Sequence, residues 1–305
     1  MIDAPGLPLI AVTVGDPSGI GPEIALKAIR DPRVVEVCRP KLYGVYEPEA
    51  LSAFACGQVN AASGQAAYDA IVEATGDALA SRVDAIVTAP INKAAFAAAG
   101  LTWRGHTDLL GHLCQTPDVA MMFWSERLRV VLATVHIPLS QVPTALTAEV
   151  LLKVIDLTAS SLPGFGVESP RIGVAGLNPH AGEDGLLGKE EEIVMAPAIA
   201  QAREKGIAVS GPFPADTLFV RAVRGEFDVV VAAYHDQGLV PVKLLAFGRS
   251  VNVTLGLPIV RTSVDHGTAF DIARKDVADE GSLVEAILLA VKLSSARKLA
   301  AERRA

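Results

Sequence analysis

The sequence predicts an α/β fold with a largely parallel sheet, on three observations. Short apolar, β-branched runs recur along the chain, separated by segments long enough to be crossover helices. Each run stops abruptly in a Gly/Pro turn or a polar cluster, as strands do when they deliver ligand-binding groups to the carboxyl edge of an open sheet. No internal repeat or low-complexity segment interrupts the alternation of strand and helix. At 305 residues the chain can bury a sizeable core and suggests about two domains. Strands tipped with histidine cluster in the middle while each end carries its own strand-helix units, so residues 1-128 with 262-305 are expected to share one domain and 129-261 to form the other.

Leu9 to Val14 reads as a strand ending in Gly15-Asp16-Pro17, and Gly21-Pro22-Glu23 opens a helix through about Ile29, since proline suits the first helical position and glutamate the first turn. Lys41 to Val45 is a weak strand. Ala61 to Ala80 is a long helix with Ala70, Ile71, Ala74 and Ala78 on one face. Asp84 to Thr88 is a strand that runs into Asn92 and Lys93, read as capping or solvated residues. Thr107 is the natural cap of a helix backed by Leu109, Leu110 and Leu113, with His112 structural.

Met121 to Trp124 reads as a buried strand, because Met and aromatic residues fill cores, and Arg129 to Val135 is the next. Thr147 caps a helix to about Ser160, and Arg171 to Leu177 is again a strand. Lys189 to Lys205 is a charged helix whose Ile193, Val194, Pro197 and Ile199 are expected to face inward. Asp216 is the expected N-cap of a helix opened by Pro214, Val229 to Ala233 is a buried strand, and Ser282 to Ala301 is a closing helix with Ser282 as cap and Glu285 at the capping-box position.

Composition removes several classes of function. Lys and Arg number 27 against 34 Asp and Glu, a net charge of -7, and no basic tract is interleaved with aromatics, so nucleic acid is not an expected partner. No apolar run reaches the roughly 18 residues of a membrane span. Cys38, Cys56 and Cys114 are odd in number and lack metal-type or CxxC spacing, which argues against a disulfide framework. With no signal-like start, the expected location is cytoplasmic. The turn GDPSGIG does not fit G-x-G-x-x-G, and no phosphate-binding G-x-x-x-x-G-K-[ST] occurs, so no nucleotide site is readable from glycine spacing.

The stretch from Phe227 to Ala273 carries the densest chemistry. Its strand ends in Tyr234-His235-Asp236; likewise Arg129 to Val135 runs into His136, and Arg171 to Leu177 into Asn178-Pro179-His180. A lone histidine at a strand end is usually a hydrogen-bonded structural residue. Three such ends in a chain with six histidines point to a shared site, and three imidazoles could hold a divalent ion with a position left for substrate. Such an ion would act as a Lewis acid on a substrate oxygen. Asp236 and Asp265 stand next to histidines that they could orient.

These residues stand in motifs that resemble the 4-hydroxythreonine-4-phosphate dehydrogenase family, a branch of the isocitrate/isopropylmalate dehydrogenase-like fold. The blocks are GDPSGIGPE from Gly15, TAPINK from Thr88, GHTDLLG from Gly105, NPHAGEDGLLGKEE from Asn178, PADTLF from Pro214, YHDQG from Tyr234 and SVDHGTAFDIA from Ser263, and they span most of the chain. The resemblance implies two α/β/α domains with mostly parallel sheets and an active site in the cleft between them. It implies a homodimer whose active site lies at the subunit interface, with metal ligands His136, His180 and His235 drawn from both subunits. One divalent cation per subunit (Zn, Mg or Co) is implied, and NAD or NADP as hydride acceptor near Ser263 to Ala269. His106, Thr107, Lys243, Asn252 and Arg261 are implied to bind a small, anionic, phosphorylated substrate, and Asp216 and Lys243 are the candidate catalytic residues, Asp216 the better one for proton transfer.

The implied reaction is oxidation of 4-phosphooxy-L-threonine at C3 with decarboxylation to 3-amino-2-oxopropyl phosphate, a step of pyridoxine and pyridoxal phosphate biosynthesis. Relatives in the family act on 4-phosphorylated threonate or erythronate, or on carboxylated aromatic cis-dihydrodiols. A redox-inactive metal hydrolase or lyase is the alternative from another class. The connection between Glu47 and Ala61 is shorter than expected for the biosynthetic enzymes, which leaves the substrate within the family open.

Overall fold

A computed structural model describes residues 6–303 of the chain. They form two compact units, one made of the residues up to Val119 with Val251–Leu299, the other of Ala120–Ser250 with the residues from Ala300 on. The expected division at 128/129 and 261/262 differs from this at two strands. Met121 to Trp124 belongs to the central unit because it pairs with the strand that starts at Arg129; Val251–Leu255 belongs with the termini because it pairs with the strand that starts at Arg261.

The first unit begins with β1 (Leu9–Thr13), α1 (Gly21–Ala28), α2 (Pro32–Val37), β2 (Arg39–Tyr43), α3 (Pro48–Leu51) and α4 (Ala61–Leu79). It continues with β3 (Ala85–Thr88), α5 (Lys93–Ala98) and α6 (His106–Leu113). Its sheet runs β2-β1-β3 and is extended by two strands described below. β1 pairs in parallel with both neighbours, and the crossovers between them are helical, as a parallel ladder demands. One face of this sheet, with Ala11 and Ile86, packs against Ala67, Ala70, Ile71 and Ala74 of α4, Phe96 of α5 and Leu109 and Leu110 of α6. Alanine on α4 lets that helix lie close to the strands.

The second unit contains β4 (Ala120–Trp124), β5 (Arg129–Leu132), α7 (Val142–Ala145), α8 (Ala148–Ser161), β6 (Ile172–Ala175), α9 (Ala196–Glu204), β7 (Val209–Phe213), α10 (Ala215–Val223), β8 (Val229–Ala232) and α11 (His235–Ala246). Strand order is β4-β5-β8-β6-β7, parallel except for the edge strand β4. Val130, Leu132, Val230, Ala232 and Ala175 form a core with Leu218 and Ala222 of α10 and Leu239 and Val242 of α11. A Cβ added at Gly238 would stand 2.6 Å from Leu132 Cδ2 and 2.8 Å from Val130 Cγ1, so the glycine is what lets the first turn of α11 sit on β5.

The chain returns to the first unit with β9 (Val251–Leu255), β10 (Arg261–Ser263) and α12 (Gly281–Glu302). β10 pairs in parallel with β3 and antiparallel with β9. Thr262 hydrogen-bonds through Oγ1 to the carbonyl of Ala286 in α12, whereas Arg261, level with Ile86, points to the opposite face under α4 and α6. Period-two alternation therefore decides that Arg261 is internal to the helix-covered face.

Several local expectations are corrected. Asp216 is not an N-cap; it is the second residue of α10, whose cap position is Pro214. Thr107 likewise lies inside α6, which is entered from Gly105, and Asp108 makes the turn instead by accepting from Arg104 N at 2.5 Å. Ser282 is inside α12, and its hydroxyl donates to Asp265 Oδ1 at 3.3 Å. Ile193 is 64% exposed, because Glu191–Met195 winds as a π-helical turn before α9 and shifts the face that a regular helix would bury. Thr147 and Asn92 do cap, accepting from Val150 N and Ala95 N.

Candidate functional site

In the first unit the site grows from Thr88 at the carboxyl end of β3, Arg261 at the start of β10, and Asn252 and Thr254 of the antiparallel β9. Arg261 is 2% exposed; its Nη1 donates to Thr254 Oγ1 at 3.0 Å and its Nη2 to Thr88 Oγ1 at 2.7 Å, and no carboxylate among the described residues is bonded to it. Its Nε is buried and unpartnered, as are His106 Nε2 and Asn252 Oδ1. Asn252 faces Ser263 across the β9–β10 pair, on the same face as Thr254 and Arg261, and His106 opens α6 above that face. A buried polar atom without a partner is costly, and here three of them belong to side chains on one face of one unit.

The electrostatics agree with that reading. Burial without a counter-charge pushes the Arg261 guanidinium down to about 9, which still leaves it cationic at neutral pH. Burial, and then the nearby Arg261 charge, hold His106 well below the ordinary histidine range, so it is a neutral donor or acceptor. Arg261 Nε and the His106 imidazole can donate to an oxyanion, which can also accept from the guanidinium fork, while Asn252 Oδ1, an acceptor, calls for a donor such as a ligand hydroxyl. Thr107 stands beside His106 in the first turn of α6.

The loop from Ser263 to Ala269, the suspected cofactor region, lies against the first Gly/Pro turn of the same unit. Ile20 N donates to Thr268 O at 3.0 Å, and a Cβ at Gly19 would come within 2.8 Å of that carbonyl. Asp265 accepts from Ser282, while His266 turns Nδ1 to the carbonyl of Gly267 at 3.0 Å.

In the second unit the three histidines follow the carboxyl ends of three adjacent parallel strands, β5, β8 and β6. His136 and His235 come together, with ring centroids 5.7 Å apart, and both line a cavity of about 230 Å³ with Thr134, Tyr234 and Asp236. Asp236 Oδ1 is 2.7 Å from His235 Nδ1, which leaves His235 Nε2 as the ring atom open to a ligand. His180 is exposed at the tip of a turn in which it and Ala181 are both left-handed, and among the described residues no three His, Cys, Asp or Glu side chains gather as a metal-ligand group. The pair fits a divalent ion in ligand type, and Asp236 sets His235 in a fitting tautomer, with further ligands to come from outside the pair.

Asp216 is exposed in the first turn of α10, a helix that lies against the Pro179–Gly182 turn, and Lys243 is exposed in the last turn of α11. Thr88 and Thr254, which hold the Arg261 fork, were not singled out from the sequence. Threonine in a β-strand is ordinary, and only the cross-strand register reveals that both lie within reach of the guanidinium.

Strand order, helix-covered parallel sheets and a buried cationic pocket define an α/β protein with an anion-binding site, and the comparisons with known proteins place it among dehydrogenases. The isocitrate dehydrogenase of Methylococcus capsulatus shares the fold at 17% identity and a TM-score of 0.52. The chain belongs to the PdxA family: the description "Pyridoxal phosphate biosynthetic protein PdxA" matches residues 13–290. It is 45% identical to a 4-hydroxythreonine-4-phosphate dehydrogenase of Desulforapulum autotrophicum, over 93% of this chain and 94% of that one. It is 42% identical to the D-threonate 4-phosphate dehydrogenase of Cupriavidus necator, over 95% and 98%. The crystal structure of a 4-hydroxythreonine-4-phosphate dehydrogenase from Klebsiella pneumoniae superposes with a TM-score of 0.87 at 40% identity, covering 96% of this chain and 99% of that one.

Proposed function

We propose that this dehydrogenase oxidises 4-phosphooxy-L-threonine at C3, with loss of the carboxylate as carbon dioxide to give 3-amino-2-oxopropyl phosphate. The observation that carries this is the buried Arg261, held by two threonine hydroxyls and lacking an anionic partner, beside His106 and Asn252 with unsatisfied atoms. The phosphate of such a substrate supplies acceptors for Arg261 Nε and His106, and its hydroxyl a donor for Asn252 Oδ1. His106, Thr107, Asn252 and Arg261 bind its anionic end.

His136 and His235 would hold a divalent ion (Zn, Mg or Co), and when bound the ion would polarise the C3 hydroxyl while NAD or NADP, resting near Ser263 to Ala269, accepted the hydride. His180 of a second copy of this chain is the natural further ligand, since His180 does not join its own His136 and His235. An apolar strip along α11 and its C-cap suits such a homodimer: Val240, Leu244 and Phe247, the last just past the helix, are 58%, 81% and 80% exposed. Asp236 holds the tautomer of His235, and Asp216, aided by Lys243, takes the hydroxyl proton.

D-threonate 4-phosphate is the second reading, favoured by the Cupriavidus relative and by the short connection from Glu47 to Ala61. Both substrates carry the same phosphate, so the anion pocket does not separate them; the amino group at C2 does. The test is a panel of the two substrates with NAD and with NADP, run with and without chelator and followed by the absorbance of the reduced cofactor. Turnover of the amino substrate that chelation abolishes supports the first reading, and turnover of D-threonate 4-phosphate alone replaces it with the second.

No helix among the described residues is long and apolar enough to cross a membrane.

A further inference from the structure

We propose that Gln237 is a positioning residue that locks the strand exits leading to His136, His180 and His235 in register, and that the affinity of the His136–His235 pair for a divalent ion depends on it. The inference rests on the metal reading of those histidines given above.

The parallel ladder of the second unit pairs β5 with β8 as far as Leu132 and Ala232, and β6 with β8 as far as Val174 and Val231. Beyond those points the chain runs into the loops that carry the histidines, and side chains join the last main-chain bonds. Ala233 is the hub. Its N–H donates to Gln237 Oε1 at 2.7 Å, and its carbonyl accepts from Thr134 Oγ1 at 2.8 Å and from Thr134 N at 3.2 Å. The other end of the same amide, Gln237 Nε2, donates to Gly176 O at 2.6 Å, and Gly176 N donates to Phe213 O at 2.8 Å. One continuous chain of hydrogen bonds therefore crosses the exits of β5, β8, β6 and β7.

Only a carboxamide satisfies both contacts, one as acceptor and one as donor, and the partners fix which way the amide points. Helix capping does not account for the arrangement. Gln237 is the third residue of α11, where a side chain ordinarily reaches back to the N–H of the cap residue; here it passes Tyr234 and takes Ala233, spending its other end on a different strand. Removing the amide frees Ala233, two residues before His235, and Gly176, four residues before His180, with Thr134 already two residues before His136. Ligands held by outer contacts of this kind lose about 10–100-fold in metal affinity when those contacts go.

The test is a Co²⁺ titration of the full-length chain by visible absorption. The variants are Gln237→Met, Gln237→Glu, which keeps the acceptor for Ala233 but sets a carboxylate against Gly176 O, and His235→Ala. Thr158→Val, which removes a buried hydroxyl bond to Val154 O within α8, controls for lost stability. Expected are a roughly 10–100-fold weaker Co²⁺ affinity and an altered ligand-field band in both Gln237 variants, with far-ultraviolet dichroism unchanged, and wild-type binding in Thr158→Val. Should Gln237→Met fail to fold, the near-isosteric Gln237→Glu carries the same test. Wild-type Co²⁺ affinity in a folded Gln237 variant, while His235→Ala loses the ion, overturns the clamp alone; no Co²⁺ uptake by the wild type, or equal uptake by His235→Ala, overturns the metal reading and the clamp with it.

Discussion

Arg261 is the residue whose physics is easiest to test, because its cost and its use pull in opposite directions. A buried charge without a counter-ion destabilises the free protein, whereas the same charge strengthens an oxyanion contact in a site of low dielectric. Arg261→Lys keeps a charge but loses the fork, and is expected to raise KM about tenfold or more with a smaller change in kcat, as steady-state kinetics would show. Arg261→Met is expected to abolish substrate binding yet unfold, without substrate, at a temperature no lower than the wild type; a large drop in Tm would mean that Arg261 is structural. His106 gives a prediction in pH. Its folded-state value lies below the ordinary one, so as pH falls through about 6.5 the unfolded chain binds a proton that the native state refuses, and stability is lost in that window and retained above it. Replacing it in His106→Gln should make the urea midpoint fall less between pH 7 and pH 5 than it does in the wild type.

Among the elements, α11 joins packing to chemistry, since it starts at His235 and presses Gly238 onto β5. Gly238→Ala would place a methyl group inside contact distance of Leu132 and Val130 and is expected to cost about 1–3 kcal/mol in denaturant unfolding. Because the helix would be lifted at its first turn, Co²⁺ binding should weaken in the same variant, a coupling that a helix without His235 would not show. The segment after β6 is the other informative element. Glu191, 6% exposed, accepts from Asn178 N at 2.7 Å and from Asn178 Nδ2 at 2.9 Å, which anchors the base of the loop while its tip winds through left-handed residues to expose His180. Its π-helical turn follows from that anchor: Glu191 must stay inward, so Ile193 goes out.

For the molecule as a whole, ligand linkage separates the anion pocket from the rest. A phosphorylated substrate or inorganic phosphate at about 100 times its Kd should stabilise the wild type by about 2.7 kcal/mol and leave Arg261→Met unmoved, as thermal scans would register. The α11 strip belongs at this scale too. If it is covered by a second copy of the chain, Leu244→Asp with Phe247→Asp should run as a monomer in light scattering and lose Co²⁺, because His180 of the other copy would be withdrawn. A double variant that keeps both its mass and its metal would refute the shared site.

How much of this was legible beforehand follows from the range of each interaction. Strands and helices are set by short-range patterns, so the α/β class, the runs that became β1, β3, β5, β6 and β8, and the caps Asn92 and Thr147 could be read directly. The site residues were reached through motif blocks and through the grammar of strands ending in histidine, which is again local. Tertiary structure alone decided that Arg261 lies inward without a counter-ion, that Thr88 and Thr254 hold its fork, that His136 meets His235 while His180 stays apart, and that Gln237 spans two strand exits. Each of these depends on cross-strand register and on which loop lies beside which, relations that reach from 7 positions, for Thr254 and Arg261, to 173, for Thr88 and Arg261, and no periodicity within one segment encodes them.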